Sequence, residues 1–241
     1  MELTEAVESR GVVCAVGAGG KKTLLYTLAQ HVDRAVVTAT VRIPIFDEHV
    51  AGVAVTDDPA GVVGETTAWP VGVVPERERE DRYRGYDTER IADLADADAD
   101  AVLVKADGAR TRRLKAPGDH EPQIPDCADV VVPIASVRAV GEPLTETVAH
   151  RPERVAELTG RSVGEEIRPA DVATVLAHPE GGRKDAPPDA TVIPLLNMAD
   201  DAALVETATQ IAAGVHERAD VPRVVVTSLK AEDPVKAVVS D

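Results

Sequence analysis

Short, almost purely apolar runs alternate along this chain with amphipathic stretches of helical spacing. Residues 11–16 (GVVCAV) form a continuous apolar run ending in glycines, as a strand buried on both faces does. Leu24, Leu25, Leu28, Ala29 and Val32 then recur at the three- and four-residue spacing of a helix. Residues 11–32 therefore read as strand, glycine loop, helix. The same reading predicts strands over 35–41, 53–55, 71–74, 101–105, 130–134, 191–196 and 223–227. Helices are expected over 2–9, 87–94, 146–159, 169–177 and 200–218. Strands alternating with helices imply a P-loop-like α/β fold: a doubly wound, mainly parallel sheet with helices on both faces. The charge-alternating stretch 76–84 reads as a solvated connector, with a lid whose arginines reach a phosphate as the alternative. Residues 181–189 read as a polar, proline-rich loop. A single domain is expected over 1–230, followed by a loose tail over 231–241.

Composition sharpens this picture in two ways. Of 241 residues 44% are hydrophobic but only 2% aromatic, so the core must be built from Val, Ala, Leu and Ile. Acids outnumber bases 42 to 26, giving a formal net charge of -16. The acids are spread along the chain, as suits a halophilic surface whose self-repulsion is weakened by screening. Such a surface repels nucleic acid. Cys14 and Cys127 are too few for a disulfide framework. No apolar run approaches the ~20 residues of a membrane span, and the acidic N-terminus lacks a secretory core; a cytoplasmic protein is expected.

The candidate chemistry begins in the glycine loop, Gly17-Ala18-Gly19-Gly20-Lys21-Lys22-Thr23. Glycines between a strand and a helix let backbone N–H groups turn toward an anion, and the helix N-terminus adds partial positive charge. Lysine adds a point charge, and a following hydroxyl can bind magnesium. The usual G-x-x-x-x-G-K-[ST] spacing is not met. Aligning Gly20-Lys21 with Gly-Lys puts Ala15 at the first glycine and Lys22 at the hydroxyl position. Aligning Lys22-Thr23 with Lys-Thr instead puts Lys21 on the last glycine. The first alignment is preferred, which leaves the metal-binding hydroxyl open between Thr23 and a residue elsewhere. Downstream, Asp107 lies just past an apolar strand, where a P-loop fold places a magnesium-handling carboxylate, and Gly108 permits close phosphate approach. Its role is expected to lie in the metal and not in stability. Arg110, Arg112, Arg113 and Lys115 gather positive charge in an acidic chain and suggest a substrate or partner anion. Asp119 and His120, with Glu121, could supply a general base or a metal ligand; a lone loop histidine is more often a hydrogen-bonding residue.

The segment Lys105-Ala106-Asp107-Gly108-Ala109-Arg110, followed by residues 114–125 (LKAPGDHEPQIP), resembles the YqeC family, accessory proteins of selenium-dependent molybdenum hydroxylases. The similarity also takes in the glycine loop, Thr38-Ala39-Thr40, and Leu196-Asn197-Met198-Ala199-Asp200, and spans about residues 11–200. Three departures stand out. Lys22 replaces a hydroxyl residue, Ala39 the middle threonine, and Met198 the lysine of an Asn-Lys-x-Asp-like element. The last puts guanine reading by Asn197 and Asp200 in doubt, although a thioether can lie on a base. Those two residues could equally end a strand and cap the next helix. The resemblance implies an accessory factor that binds, and hydrolyses, ATP or GTP with Mg²⁺, serving a molybdenum hydroxylase or its cofactor. Rival readings are a nucleotidyl or phosphoryl transferase acting on a small cofactor, and a non-catalytic nucleotide-switched chaperone.

Overall fold

The apolar runs become strands because they can satisfy their backbone only by pairing with one another while burying both faces. A computed structural model describes residues 1–240. Its strands are β1 (Gly11–Gly17), β2 (Ala35–Ala39), β3 (Ile43–Pro44), β4 (Gly52–Val55), β5 (Val71–Val74), β6 (Glu76–Arg79), β7 (Arg82–Arg84), β8 (Ala101–Lys105), β9 (Leu114–Lys115), β10 (Val130–Ser136), β11 (Ala149–His150), β12 (Thr191–Val192), β13 (Leu195–Asn197), β14 (Val224–Thr227) and β15 (Val235–Val239). The helices are α1 (Leu3–Ala6), α2 (Lys21–Ala29), α3 (Pro59–Glu65), α4 (Thr88–Ala95), α5 (Pro152–Thr159), α6 (Pro169–Ala177) and α7 (Ala202–His216).

Ten strands form one sheet in the order β15-β14-β13-β10-β1-β8-β2-β5-β4, with β12 also on β10. Every pairing in it is parallel except β14 with β15. The expected α/β architecture, a doubly wound, mainly parallel sheet with helices on both faces, is therefore observed. Alternation along β1 shows how both faces are filled. Val13 and Ala15 join Leu24, Leu25 and Leu28 of α2 on one face, while Val12, Cys14 and Val16 join Ile91 and Leu94 of α4 on the other. Beyond β10, Leu196, Val224 and Val226 pack with Val172, Leu176 and Ile211 from α6 and α7. With so few aromatics, this core is mostly branched aliphatic chains and alanine, with Phe46, Tyr83 and Tyr86 buried among them.

Four expectations are corrected. Stretch 76–84 is solvated as expected, Tyr83 apart, but it is not a mere connector: β6 and β7 form an antiparallel hairpin that continues onto β3. Arg84 pairs across the hairpin with Glu76, as cross-strand opposite charges do, and Glu78 is met by Arg42, which precedes β3. The loose tail expected after residue 230 is instead the edge strand β15, held antiparallel on β14. The helix expected over 146–159 begins only at Pro152, because Ala149–His150 pairs with Leu114–Lys115 first and proline then suits a helix start. The strand expected over 191–196 is broken at Pro194, which has no N–H to give the ladder.

Candidate functional site

The C-terminal ends of β1, β8, β10 and β13 meet at one edge of the sheet, and the glycine loop lies among them. Gly17, Gly19 and Gly20 take φ of +86°, +98° and +148°, a region side chains seldom enter. Space is equally restrictive: a Cβ on Gly19 would sit 2.6 Å from the Ser136 nitrogen, and one on Gly20 would collide with the Asn197 amide. The loop is thus pressed against β10 and β13, and glycine is required by close backbone approach. Asn197, buried at the end of β13, fixes it there. Its amide nitrogen donates to the Gly19 carbonyl at 2.7 Å, and its oxygen accepts from the Leu229 N–H at 3.1 Å. Helix α2 starts at Lys21 without a side-chain cap, so its first-turn N–H groups can meet an anion.

Behind the loop runs a chain of alternating charges. Lys21 Nζ stands 2.8 Å from Asp107 Oδ1 and also reaches the Gly17 carbonyl. Asp107 Oδ2 accepts from Lys115 Nζ at 2.7 Å and from the Gly17 N–H at 2.9 Å. Lys115 continues to Glu121 at 2.8 Å, and Arg151 meets the same Glu121 oxygen at 2.8 Å. Lys115 is fully buried and Asp107 nearly so, whereas Glu121 and Arg151 lie toward the surface. Three cations on two carboxylates leave this chain with one net positive charge. Asp107 Oδ1 is buried without a well-aligned hydrogen bond despite the nearby ammonium.

The electrostatics follow from burial set against partners. Burial alone would raise the Asp107 carboxyl, but Lys21 and Lys115 together hold it below its ordinary 3.8. Burial pulls Lys21 below its usual value, against the attraction of Asp107. Lys105, at the end of β8, is buried with no ion pair among the described residues; burial and the neighbouring Lys21 bring it down to about 7. Burial, with Arg151 and Lys115 close by, brings His150 down to about 4.

The residues singled out in the sequence fall into three groups. Gly17, Gly19, Gly20, Lys21, Asp107, Gly108, Lys115 and Asn197 are gathered around the loop. Lys22 and Thr23 are half-buried on the first turn of α2. The remainder lie apart. Arg112 and Arg113 do not converge with Lys115: Arg113 pairs with Glu142 at 2.8 Å, and Arg112 donates to the Arg110 carbonyl. Arg110 is exposed. Asp119 is exposed and paired with Arg154, and His120 is exposed. Asp200 is exposed, pairs with Arg138 at 2.9 Å and accepts from the Ser228 hydroxyl at 2.5 Å. Met198 takes a left-handed φ of +66° and receives the Ser136 hydroxyl on its sulfur at 3.1 Å. Arg151 and His150 escaped the sequence reading. They arrive through the β9–β11 pairing, which joins residues some thirty-five apart and leaves no local signal.

Sheet order, loop position and charge chain together define the class: an α/β protein with a P-loop-like doubly wound sheet and a glycine loop at the end of its central strand. Within that class the chain belongs to the YqeC family, described as YqeC protein, whose model matches residues 13–153. The match takes in the glycine loop and the whole run from Lys21 to Arg151. The chain is also similar to the uncharacterized protein YqeC of Escherichia coli (strain K12). The two are 28% identical over 183 residues, covering 73% of this chain and 71% of that protein. No solved structure matches. No helix among the described residues is long and apolar enough to cross a membrane.

Proposed function

We propose that this protein binds a nucleoside triphosphate with Mg²⁺ at the glycine loop and hydrolyses it as an accessory factor in maturing a molybdenum hydroxylase or its cofactor. One observation carries the nucleotide reading: a glycine loop opening into an uncapped helix, with a buried lysine and carboxylate 2.8 Å apart behind it. The loop amides and the first turn of α2 would take phosphate oxygens. Lys21, now shared between Asp107 and the Gly17 carbonyl, has an anion to turn to when phosphate arrives.

The residues also fit magnesium. No group of three or more acidic, cysteine or histidine ligands exists among the described residues, but Mg²⁺ needs only one or two carboxylates beside phosphates and water. Asp107, with its unaligned buried Oδ1, and the Thr23 hydroxyl would hold it. When bound, the ion would neutralise charge on the phosphates. The remaining work belongs to the protein: Lys115 keeps Asp107 ionised and oriented, and Asn197 holds the loop in shape. The accessory role and the cytoplasmic, high-salt setting rest on the family and the acidic composition.

Calorimetry with ATP and GTP, each with and without Mg²⁺ at high salt, tests the reading. Binding by the parent, weakened far more by Lys21→Ala than by Lys22→Ala, is expected. No binding of either nucleotide, or a greater loss from Lys22→Ala, would overturn it or its alignment of the loop.

A further inference from the structure

The sequence leaves two roles open for Asn197 and Asp200: reading a guanine edge, or ending β13 and capping α7. The geometry separates the two residues. Helix α7 is capped by Asp201, whose side chain accepts from the Leu204 N–H at 2.9 Å, so Asp200 is not spent on the cap. Asn197 is spent. It is buried, with its nitrogen on the Gly19 carbonyl and its oxygen shared by the Leu229 N–H and the Thr227 hydroxyl. It fastens the loop and has no edge left for a base.

That fastening fixes where Asp200 stands. The segment after β13 is tied to the glycine loop through Asn197, and to the end of β14 by the Ala199 N–H on the Thr227 carbonyl at 3.0 Å. Leu229, just past β14, reaches the same corner, since a Cβ on Gly20 would lie 3.4 Å from its Cδ1. Leu229 and the half-buried Met198 give this corner apolar surface beside the phosphate loop. Asp200 is exposed next to it. Its Oδ1 accepts from the Ser228 hydroxyl at 2.5 Å and its Oδ2 from the Arg138 guanidinium at 2.9 Å.

A carboxylate held in this way presents two oxygens to a ligand with paired N–H donors. Arg138 meets one of them, and as an exposed ion pair it contributes little and exchanges readily. Guanine carries such a pair, N1–H and the 2-amino group. Adenine has no 2-amino group, and its unprotonated N1 would turn a lone pair on the carboxylate.

We propose that Asp200 makes the glycine-loop site selective for a guanine nucleotide, its carboxylate taking N1–H and the 2-amino group while Met198 and Leu229 lie against the ring. This rests on the reading of the glycine loop as a phosphate site and adds the base. Ser228 is then a positioning residue that orients the carboxylate from the neighbouring turn.

Calorimetry of the full chain with GTP, ATP and xanthosine triphosphate, each with Mg²⁺ at high salt, tests the proposal. The parent should bind GTP at least about a hundredfold more tightly than ATP. Asp200→Asn keeps an oxygen for the Ser228 hydroxyl at an exposed position, so the fold should hold. The variant should lose about a hundredfold in GTP affinity and bind xanthosine triphosphate better than GTP, because a carboxamide donates to the 2-oxo group that a carboxylate repels. ATP bound as tightly as GTP by the parent would overturn the guanine assignment and leave the phosphate loop standing. GTP affinity lost in Asp200→Asn without a gain for xanthosine triphosphate would reduce Asp200 to a structural residue. Failure of the parent to bind any of the three would overturn the loop reading and this proposal with it.

Discussion

Replacing Lys115 with methionine keeps most of the side-chain volume but removes one of the two ammoniums on Asp107. Three contacts disappear: Asp107 at 2.7 Å, the Gly108 carbonyl at 2.6 Å and Glu121 at 2.8 Å. The charge chain falls from one net positive to zero, and Asp107, whose side chain is only 2% exposed, keeps Lys21 as its sole cation. Glu121, at 22%, can recover water and retains Arg151, so most of the cost falls on Asp107. Removing one partner of a buried pair costs about 3–5 kcal/mol, because the other charge stays buried. At ~2–4 °C per kcal/mol for a chain of this size, the melting temperature should drop by about 6–20 °C. Urea denaturation at fixed high salt would measure it, with Asp107→Asn and the double variant completing a cycle. Asp107→Asn should also destabilise strongly, since the carboxylate holds the Gly17 N–H as well as both lysines. The structure thus revises the expectation that Asp107 matters to metal and little to stability. The double variant should lose about 1–3 kcal/mol less than the summed single losses. A loss under about 1 kcal/mol from Lys115→Met, or strict additivity, would refute the buried chain.

Three further outcomes follow from the same geometry. Lys105 is held at about 7 against an ordinary 10.5, so between those values the unfolded chain binds a proton that the folded chain does not; stability should therefore rise with pH across that window. Lys105→Met should flatten this rise and add on the order of 3–5 kcal/mol at neutral pH, and a rise that persists undiminished in the variant would contradict the assignment. Asp107 has the opposite sign: its depressed carboxyl contributes stability that is present above 3.8 and lost as pH falls through its folded value, measurable as an acid limb that Asp107→Asn makes shallower. Asn197→Ala should cost about 1–3 kcal/mol and speed amide exchange at Leu229, because it removes both the oxygen that accepts the Leu229 N–H and the amide that donates to the Gly19 carbonyl; unchanged exchange at Leu229 would show that the loop is held by other means.

Much of the fold was legible because its determinants are local. A run such as GVVCAV can bury two faces only as an interior strand, and Leu24, Leu25 and Leu28 align on one face of any helix they enter. The glycine loop could be located for the same reason, since its glycines and its place between strand and helix are written in consecutive residues. What the loop touches was decided by tertiary structure. Whether glycine was needed for an anion or for the press of β10 and β13 depends on residues more than a hundred positions away, Ser136 and Asn197. The basic stretch 110–115 shows the limit most clearly. Four positive charges counted in sequence look like one patch, yet only Lys115 lies on a strand, and Arg110, Arg112 and Arg113 belong to the irregular chain before it. Pairing with β11 sends Lys115 inward to Asp107, while Arg113 turns out to Glu142. Sequence fixes how many charges a segment carries. Which of them share a site depends on the direction each strand gives its side chains, and long-range pairing sets that direction.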